Sequence, residues 1–345
     1  MNGKATAFPF IHTNFFMLKI GLLGVGHLGK IHAKCIQLAE KSYELVGFYE
    51  IDDTAARQVE ESLNIRRFTN LDELIDAVDV VDIVTPTVTH FDLASRVIKK
   101  AKHVFIEKPI TQTPEEAEEL LRLSAEYGVK VQVGHVERFN PALLALEDMT
   151  LDPMFVEAHR LAMFNPRGTD VSVVLDLMIH DLDILLSIVR STPTEVRASG
   201  VAIVSTTPDI ANVRIEFENG CVANLTASRI SLKQMRKVRV FQQDAYLSLD
   251  FLEKKAQVVR IFEKEGHQLP EGSSFMEIPT PKGEKLIHVS MPEIEPVNAI
   301  KLELETFAES IRTDTLPRVS IEDGYRALKL AHEIDRQIEE KLKAL

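Results

Sequence analysis

Leu18–Lys34 reads LKIGLLGVGHLGKIHAK, and how this stretch folds decides how the rest of the chain is read. An apolar run, LKIGLLG, meets Gly24-Val25-Gly26-His27-Leu28-Gly29, and a helix-like segment follows at once. A GxGxxG between a strand and a helix has a mechanical meaning. The first glycine makes a tight turn, the second lets the backbone approach a pyrophosphate, and the third lets helix and strand pack closely. The helix N-terminus then faces the phosphates. Alone the pattern is weak; in this context it marks a dinucleotide site built on Gly24, Gly26, His27, Leu28 and Gly29. An acidic residue is expected about 20 residues on, at the end of the second strand. Glu50 closes LVGFYE at that place. A carboxylate there accepts hydrogen bonds from the adenosine ribose and repels a 2′-phosphate, so NAD is favoured over NADP. Asp52 and Asp53 read as turn and cap residues of the next helix.

Outward from the fingerprint, Met17 to about Val133 alternates β-branched runs (ELVGFYE, VVDIVTP, HVFIEKP, VKVQVGH) with amphipathic segments. That alternation predicts a parallel sheet covered on both faces. In Thr113–Gly128, Thr113 can cap a helix, Pro114 suits its first turn and Gly128 ends it. After about Asn140 the texture changes. One helix near Val174–Val189 is followed by period-two runs, NVRIEFENGCVANLTASRI with a hairpin signal at Asn219-Gly220, and KVRVFQQDAYLSLDFLEKKAQVVRIF. Two helices, about 297–313 and 321–343, end the chain, the second opened by a Ser320/Asp323 capping box. The fold class expected is α/β: a Rossmann dinucleotide-binding domain over 17–139, then an α+β domain over 140–319 with an open, mostly antiparallel sheet. The helix from about 320 should pack back on the first domain, and 1–16 should be a loose extension.

The bulk numbers narrow the function. The 345 residues fit two domains, and 45% hydrophobic with 27% charged residues is ordinary globular composition. A net charge of −12 gives no basic footprint for nucleic acid and no attraction to anionic membranes. Two distant cysteines, Cys35 and Cys221, argue against a disulfide scaffold and for a reducing compartment, the cytoplasm. No apolar run is long enough to span a bilayer, and the first residues lack the pattern of a signal peptide.

Two further stretches carry chemistry. Glu107-Lys108-Pro109 ends a strand of the first sheet, where open α/β sheets bind ligands. A cis Lys-Pro bond there would fix the direction of the lysine. VLDLMIHDLDILL, 174–186, is mostly aliphatic yet holds Asp176, His180, Asp181 and Asp183. Burying unpaired charge is expensive, so these groups either satisfy one another or act chemically. Asp176 and His180 are spaced to share a helix face, with Asp183 three residues on, whereas Asp181 points away and reads as structural or exposed. A metal site has only the Asp176/His180 pair in its favour, with no further ligand set.

GVGHLG at 24–29, TPTVTH at 85–90, IEKPIT at 106–111 and the Asp176…His180 spacing in LDLMIHDLD together resemble the Gfo/Idh/MocA oxidoreductases, from Met17 to the end. The resemblance implies a nicotinamide-dependent enzyme acting on sugars or their derivatives. It implies that Lys108 is the catalytic lysine, that Thr85, Pro86, Thr87 and His90 line the cofactor, and that Glu107 contacts its nicotinamide-ribose side. His180 is then the first choice of base for a secondary alcohol, with Lys108 stabilising the alkoxide and Asp176 orienting His180 or binding a hydroxyl. The two roles could be reversed, since a lysine in an apolar cleft can itself be the base.

GHVERFNP at 134–141 departs from the commoner family pattern and, with VVLDLMIHDLD, is most similar to the nucleotide-sugar branch, UDP-N-acetylglucosamine 3-dehydrogenases. Arg138, Arg160 and Arg167 are candidates to clamp a diphosphate, with Asn140 and Asp183 beside the substrate. The alternative for each arginine, above all Arg160, is an ion pair. Rival readings are a dehydrogenase of a free sugar, inositol or sugar acid, and a glycoside hydrolase that uses NAD with no net redox change. A non-enzymatic NAD-binding regulator is disfavoured, because it would need no acid–base pair beside the nicotinamide. The family and an open sheet also imply a homodimer or homotetramer.

Overall fold

The computed structural model describes residues 16–165, 171–264, 275–281 and 283–344. The fingerprint strand, β1 (Leu18–Leu23), lies near the middle of a six-stranded parallel sheet with β2 (Tyr43–Tyr49), β3 (Arg67–Phe68), β4 (Val80–Ile83), β5 (His103–Glu107) and β6 (Val131–Gly134). The strand order is β3-β2-β1-β4-β5-β6, so the winding reverses between β1 and β4 and opens a crevice at their carboxyl ends. Helices α1 (His27–Leu38), α2 (Asp53–Leu63), α3 (Leu71–Asp76), α4 (His90–Lys99) and α5 (Pro114–Tyr127) make the crossovers. The expected caps are present. The Asp52 carboxylate accepts from the Thr54 and Ala55 amides, and Thr113 forms a capping box with Glu116 before α5 ends at Gly128 with φ 63°.

The second half begins with a short α6 (Pro141–Leu144) and β7 (Phe155–Leu161). A π-helical turn, Val174–Met178, leads into α7 (Ile179–Val189). Then come β8 (Pro193–Val201), β9 (Ile210–Phe217), β10 (Val222–Ser228), β11 (Met235–Phe241), β12 (Ala245–Asp250), β13 (Lys255–Glu263), β14 (Phe275–Thr280) and β15 (Gly283–Ser290). They form a nine-stranded sheet, β14-β15-β13-β12-β11-β7-β10-β9-β8, antiparallel except where β10 runs parallel to β7. The Asn219-Gly220 hairpin forms, with Gly220 at φ 84°. Alternation sets the faces: Ala211, Val213, Ile215 and Phe217 of β9 point into a core shared with Leu182 and Leu185 of α7.

Two helices close the chain, α8 (Ala299–Arg312) and α9 (Ile321–Lys343). α9 opens with the Ser320/Asp323 box and serves both halves. Leu328 joins the core of the first sheet, while Ala331, Ile334 and Ile338 join that of the second. Gly324 is required at its start, because a Cβ would come within 2.6 Å of Val133. α8 packs Leu304, Phe307 and Ala308 against Ile20 and Phe105 of the first sheet. A division at 319 therefore assigns α8 to the wrong layer: its apolar face completes the Rossmann half. The expected extension, 1–16, lies outside the described residues except for Phe16, whose carbonyl accepts from Arg312.

Candidate active site

The crevice between β1 and β4 is a cleft of 810 Å³ walled by the fingerprint, Glu50, Thr85, Pro86, Glu107 and Lys108. Each fingerprint glycine has a distinct reason. Gly24 sits at φ 85°, and a Cβ on Gly29 would lie 2.1 Å from the Gly24 carbonyl, so the turn and the close helix–strand approach both need glycine. A Cβ on Gly26 would meet no atom within 4 Å, so that glycine keeps open space at the cleft. α1 starts there with no side-chain cap and no acid in its first turn, leaving its N–H groups and positive dipole end for an anion. These features fit a dinucleotide pyrophosphate. The Glu50 carboxylate is held at the lip by the Val25 amide (2.9 Å) and the Asp52 amide (3.0 Å). Two of its four lone-pair positions remain for ribose hydroxyls.

Not every residue expected on the cleft wall is there. His90 is buried beneath it, its ring nitrogens 2.9 Å from the carbonyl oxygens of Thr85 and Pro109, so it ties two loops together. Thr87 faces a neighbouring cavity of 530 Å³, also lined by Thr111, Gln112, Leu175 and Asp176. The two spaces share Pro86 and Lys108. A ligand reaching through one toward a cofactor in the other passes the lysine.

Lys108 leaves the end of β5 through a cis bond to Pro109, and its Nζ donates to the Asp176 carbonyl at 2.9 Å. Burial lowers its pKa, opposed by Asp176 and Glu107. Asp176 lies in the π turn and His180 in the regular helix beyond it, so the four-residue spacing crosses two helix types. No hydrogen bond joins them among the described residues. The expected orienting role of Asp176 toward His180 is therefore replaced by a backbone contact to Lys108. The His180 ring meets His135 edge-on at 6.3 Å, and its Nδ1 is buried without a partner. Burial, then Lys108, Arg160, His135 and Arg236, drive its pKa well below the usual imidazole range. The site thus pairs a neutral imidazole with an amine eased toward neutrality.

The remaining charges of the segment are satisfied behind the site. Arg160 makes a two-pronged pair with Asp181 (2.9 and 2.8 Å) and a third contact to Glu137 (2.9 Å), all three buried. Arg138 grips Asp183 in the same way, at 2.7 and 2.9 Å. Asn140 is spent on Glu137, on the Phe251 carbonyl and on capping Ala142. None of Arg160, Arg138, Asn140 and Asp183 lines the cleft or the second cavity: for the two arginines the ion-pair alternative holds, and Asn140 and Asp183 are corrected from substrate to structural roles. Arg167 lies outside the described residues. His135, edge-on to His180, was missed, as was Glu137 in its pairing with Arg160. Their signal was the same HVE that departs from the family pattern.

With this geometry, comparison with known proteins decides the family. Residues 18–135 match the model of the oxidoreductase family, NAD-binding Rossmann fold, and 154–247 match the GFO/IDH/MocA C-terminal domain. The chain belongs to the Gfo/Idh/MocA oxidoreductases. Within them it is 41% identical to the UDP-N-acetylglucosamine 3-dehydrogenase of Acidithiobacillus ferrooxidans over 236 residues, 68% of this chain and 74% of that one. A solved structure of that enzyme superposes with a TM-score of 0.84 at 34% identity, covering 95% of this chain and 100% of the other. The NAD(+)-dependent scyllo-inositol 2-dehydrogenase of Bacillus subtilis is 30% identical over 235 residues, 62% of this chain and 68% of that one. This Gfo/Idh/MocA protein is an oxidoreductase with an NAD-binding Rossmann domain. No helix among the described residues is long and apolar enough to cross a membrane.

Proposed function

We propose that the chain oxidises a secondary alcohol of a nucleotide sugar in the cytoplasm, taking UDP-N-acetylglucosamine to its 3-keto form. The observation that carries this reading is Lys108, standing where the cofactor cleft meets the second cavity, with His180 beside it. The likeness to the Acidithiobacillus enzyme supplies the substrate. A nicotinamide bound in the cleft supplies the hydride acceptor. The chain's own work is on the proton. An imidazole whose pKa is driven far down accepts a proton poorly, so the base is Lys108, reversing the order first expected. Its Nζ takes the hydroxyl proton, and the Asp176 carbonyl holds the ammonium that results. His180, neutral, hydrogen-bonds and orients the substrate hydroxyl. Glu50 selects NAD, and the open face of the large sheet, with Phe241, Ile261 and Val289 exposed, pairs subunits into a dimer or tetramer.

The test is NADH formation from NAD and UDP-N-acetylglucosamine, with a carbonyl trap to draw off the ketone. Turnover that disappears in Lys108→Ala supports the reading. Bound NAD without turnover would discard the substrate.

One observation favours a second reading, a free sugar or inositol. Among the described residues lining the second cavity, Lys108 is the only cation. The arginines expected to clamp a diphosphate are engaged elsewhere, apart from Arg167. Turnover of myo-inositol or glucose at a higher kcat/KM than the nucleotide sugar would decide for it.

A further inference from the structure

Behind the catalytic strand lies a sealed group of ionisable side chains that the chemistry above does not use. His32 of α1 is fully buried. Its Nδ1 is hydrogen-bonded to Asp82 of β4 at 2.9 Å, and its Nε2 lies 3.1 Å from Glu107 of β5, within ion-pair distance but off the hydrogen-bond angle. A neutral imidazole has one N–H to give and one lone pair, so a carboxylate close to each nitrogen favours a proton on both nitrogens or on one carboxylate. Either way the trio holds one proton more than the neutral ring would bring, and it carries a single negative charge. Glu107 is wedged as well as paired. Its Oε2 accepts from the Lys108 amide, and a Cβ on Gly134 would come within 2.7 Å of its Oε1. What exposure remains to it is at the wall of the cofactor cleft.

We propose that His32 is a positioning residue for the nicotinamide end of the cleft: with Asp82 behind it, it fixes Glu107 in place and keeps one negative charge, not two or none, at that wall. The charge matters because the bound cofactor is cationic when oxidised and loses that charge on reduction. A fixed carboxylate therefore favours the oxidised form, and the clamp sets by how much. The surroundings do not confuse the count. Glu303 of α8 faces the trio fully buried, its carboxyl oxygens without partners, and burial with the nearby Glu107 and Asp82 pushes its pKa well up, so it stays protonated. Tyr43 of β2 donates to the Leu304 carbonyl and is held neutral by burial, and Phe105 of β5 offers its ring edge to His32 at 5.7 Å. His90 and His135 each interact electrostatically with Glu107, and burial lowers the pKa of both. Burial opposes the charge on His32, but its two carboxylates outweigh it and hold the ring's pKa well above the ordinary value.

The inference rests on the cleft being the cofactor's and not on which sugar is oxidised. The experiment measures the dissociation constants of NAD+ and NADH by fluorescence titration, from about pH 6 to 9, with and without Asp82→Asn. Lys108 lines the same cleft, interacts with Glu107 and titrates as the base, so both proteins carry Lys108→Met, and in that background the ratio of the two constants stays flat while Asp82 is present. In Asp82→Asn, His32 loses one carboxylate and releases its proton within the window. The preference for NAD+ then falls about tenfold at the acid end, where the wall is neutral, and recovers as pH rises. The nitrogen chemical shifts of His32 in the wild-type protein provide a second measurement that no variant's folding can spoil. Both ring nitrogens should read as protonated and not titrate. A neutral ring at pH 7.5, or a folded Asp82→Asn protein whose ratio stays flat, overturns the proposal. Failure to bind either dinucleotide would instead overturn the cofactor assignment, leaving the shifts to decide on the clamp.

Discussion

The two halves of the molecule treat buried charge in opposite ways. In the Rossmann half, apart from the His32–Asp82 pair and Glu303 sealed behind the sheet, charged residues at the carboxyl ends of strands keep atoms free toward a cleft: Glu50 after β2, and Glu107 and Lys108 at the end of β5. In the second half, the charges of the apolar segment 174–186 turn inward. Asp181 is 4% exposed against Arg160 at 3%, and Asp183 is 1% exposed against Arg138. The difference follows from topology. A parallel sheet ends in a crevice where side chains meet ligand, whereas α7 lies on a sheet face with no space beneath it. A carboxylate on its buried side must bring its own cation. Reading a charge as functional therefore depends on whether its element ends at an opening or lies across a face.

The largest effect should fall on the residue that both cavities share. Lys108→Ala is expected to lower kcat by about 10²- to 10⁴-fold while leaving NAD binding within about threefold. The pH profile sharpens the assignment. The active form is the neutral amine, and burial lowers its pKa, so kcat/KM should rise with pH through that lowered value and level off above it. His180, held neutral far below that range, should contribute no inflection at neutral pH. If the acid limb vanishes in His180→Asn and persists in Lys108→Arg, the base is the histidine.

Next comes the paired half. Arg160→Met strands Asp181 and Glu137 in the core and should cost about 3–5 kcal/mol in urea unfolding. Replacing Asp181 and Glu137 by leucine in the same chain should recover most of that loss, because the trio contributes little beyond its own satisfaction. The contrast breaks if Arg160→Met keeps its stability and raises KM for the sugar, which would make the arginine a substrate ligand after all. On the open side, Glu50→Gln should weaken NAD by about 1–3 kcal/mol and narrow its preference over NADP, with little change in unfolding. Isothermal titration with both dinucleotides would measure this.

What was legible in the sequence follows the same line. The GxGxxG, the Glu50 position, the β–α alternation, the Asn219-Gly220 hairpin, the Thr113 cap and the Ser320/Asp323 capping box are local rules, and each appears where its spacing puts it. Lys108 was legible because a strand end is a position the sequence marks. The pairing of Arg160 with Asp181 and Glu137 joins residues from three elements, and no local pattern encodes which cation meets which acid. The π turn was equally hidden, since Val174–Met178 has the apolar content of an ordinary helix, and with it went the idea that Asp176 and His180 share a face. α8 was misassigned for a similar reason: its amphipathic stripe says that it packs, not on which sheet.

The smallest effect belongs to the exception in the paired half. Asp335 of α9 is largely buried, and its contact is a hydroxyl, Ser172 Oγ at 2.6 Å, at the entry to the π turn. Burial raises its pKa to about 6; Ser172 opposes this, Glu339 adds to it and Arg229 offsets it slightly. A carboxyl whose folded pKa is raised binds its proton more tightly in the folded state. It therefore lowers stability as pH climbs from the unfolded value, about 4, through the folded one. Above that window the cost is fully present, on the order of 1 kcal/mol after allowing for its partial exposure to solvent. Asp335→Asn keeps an acceptor for Ser172 and removes the charge. It should therefore unfold at higher urea at pH 8, match wild type near pH 4, and remove this component of the fall between them. If the variant is instead less stable at pH 8, Asp335 is held by a cation as its neighbours are. Asp335 would then join Asp181 and Asp183 as an acid held by a cation, and the contrast with the cleft would be sharper.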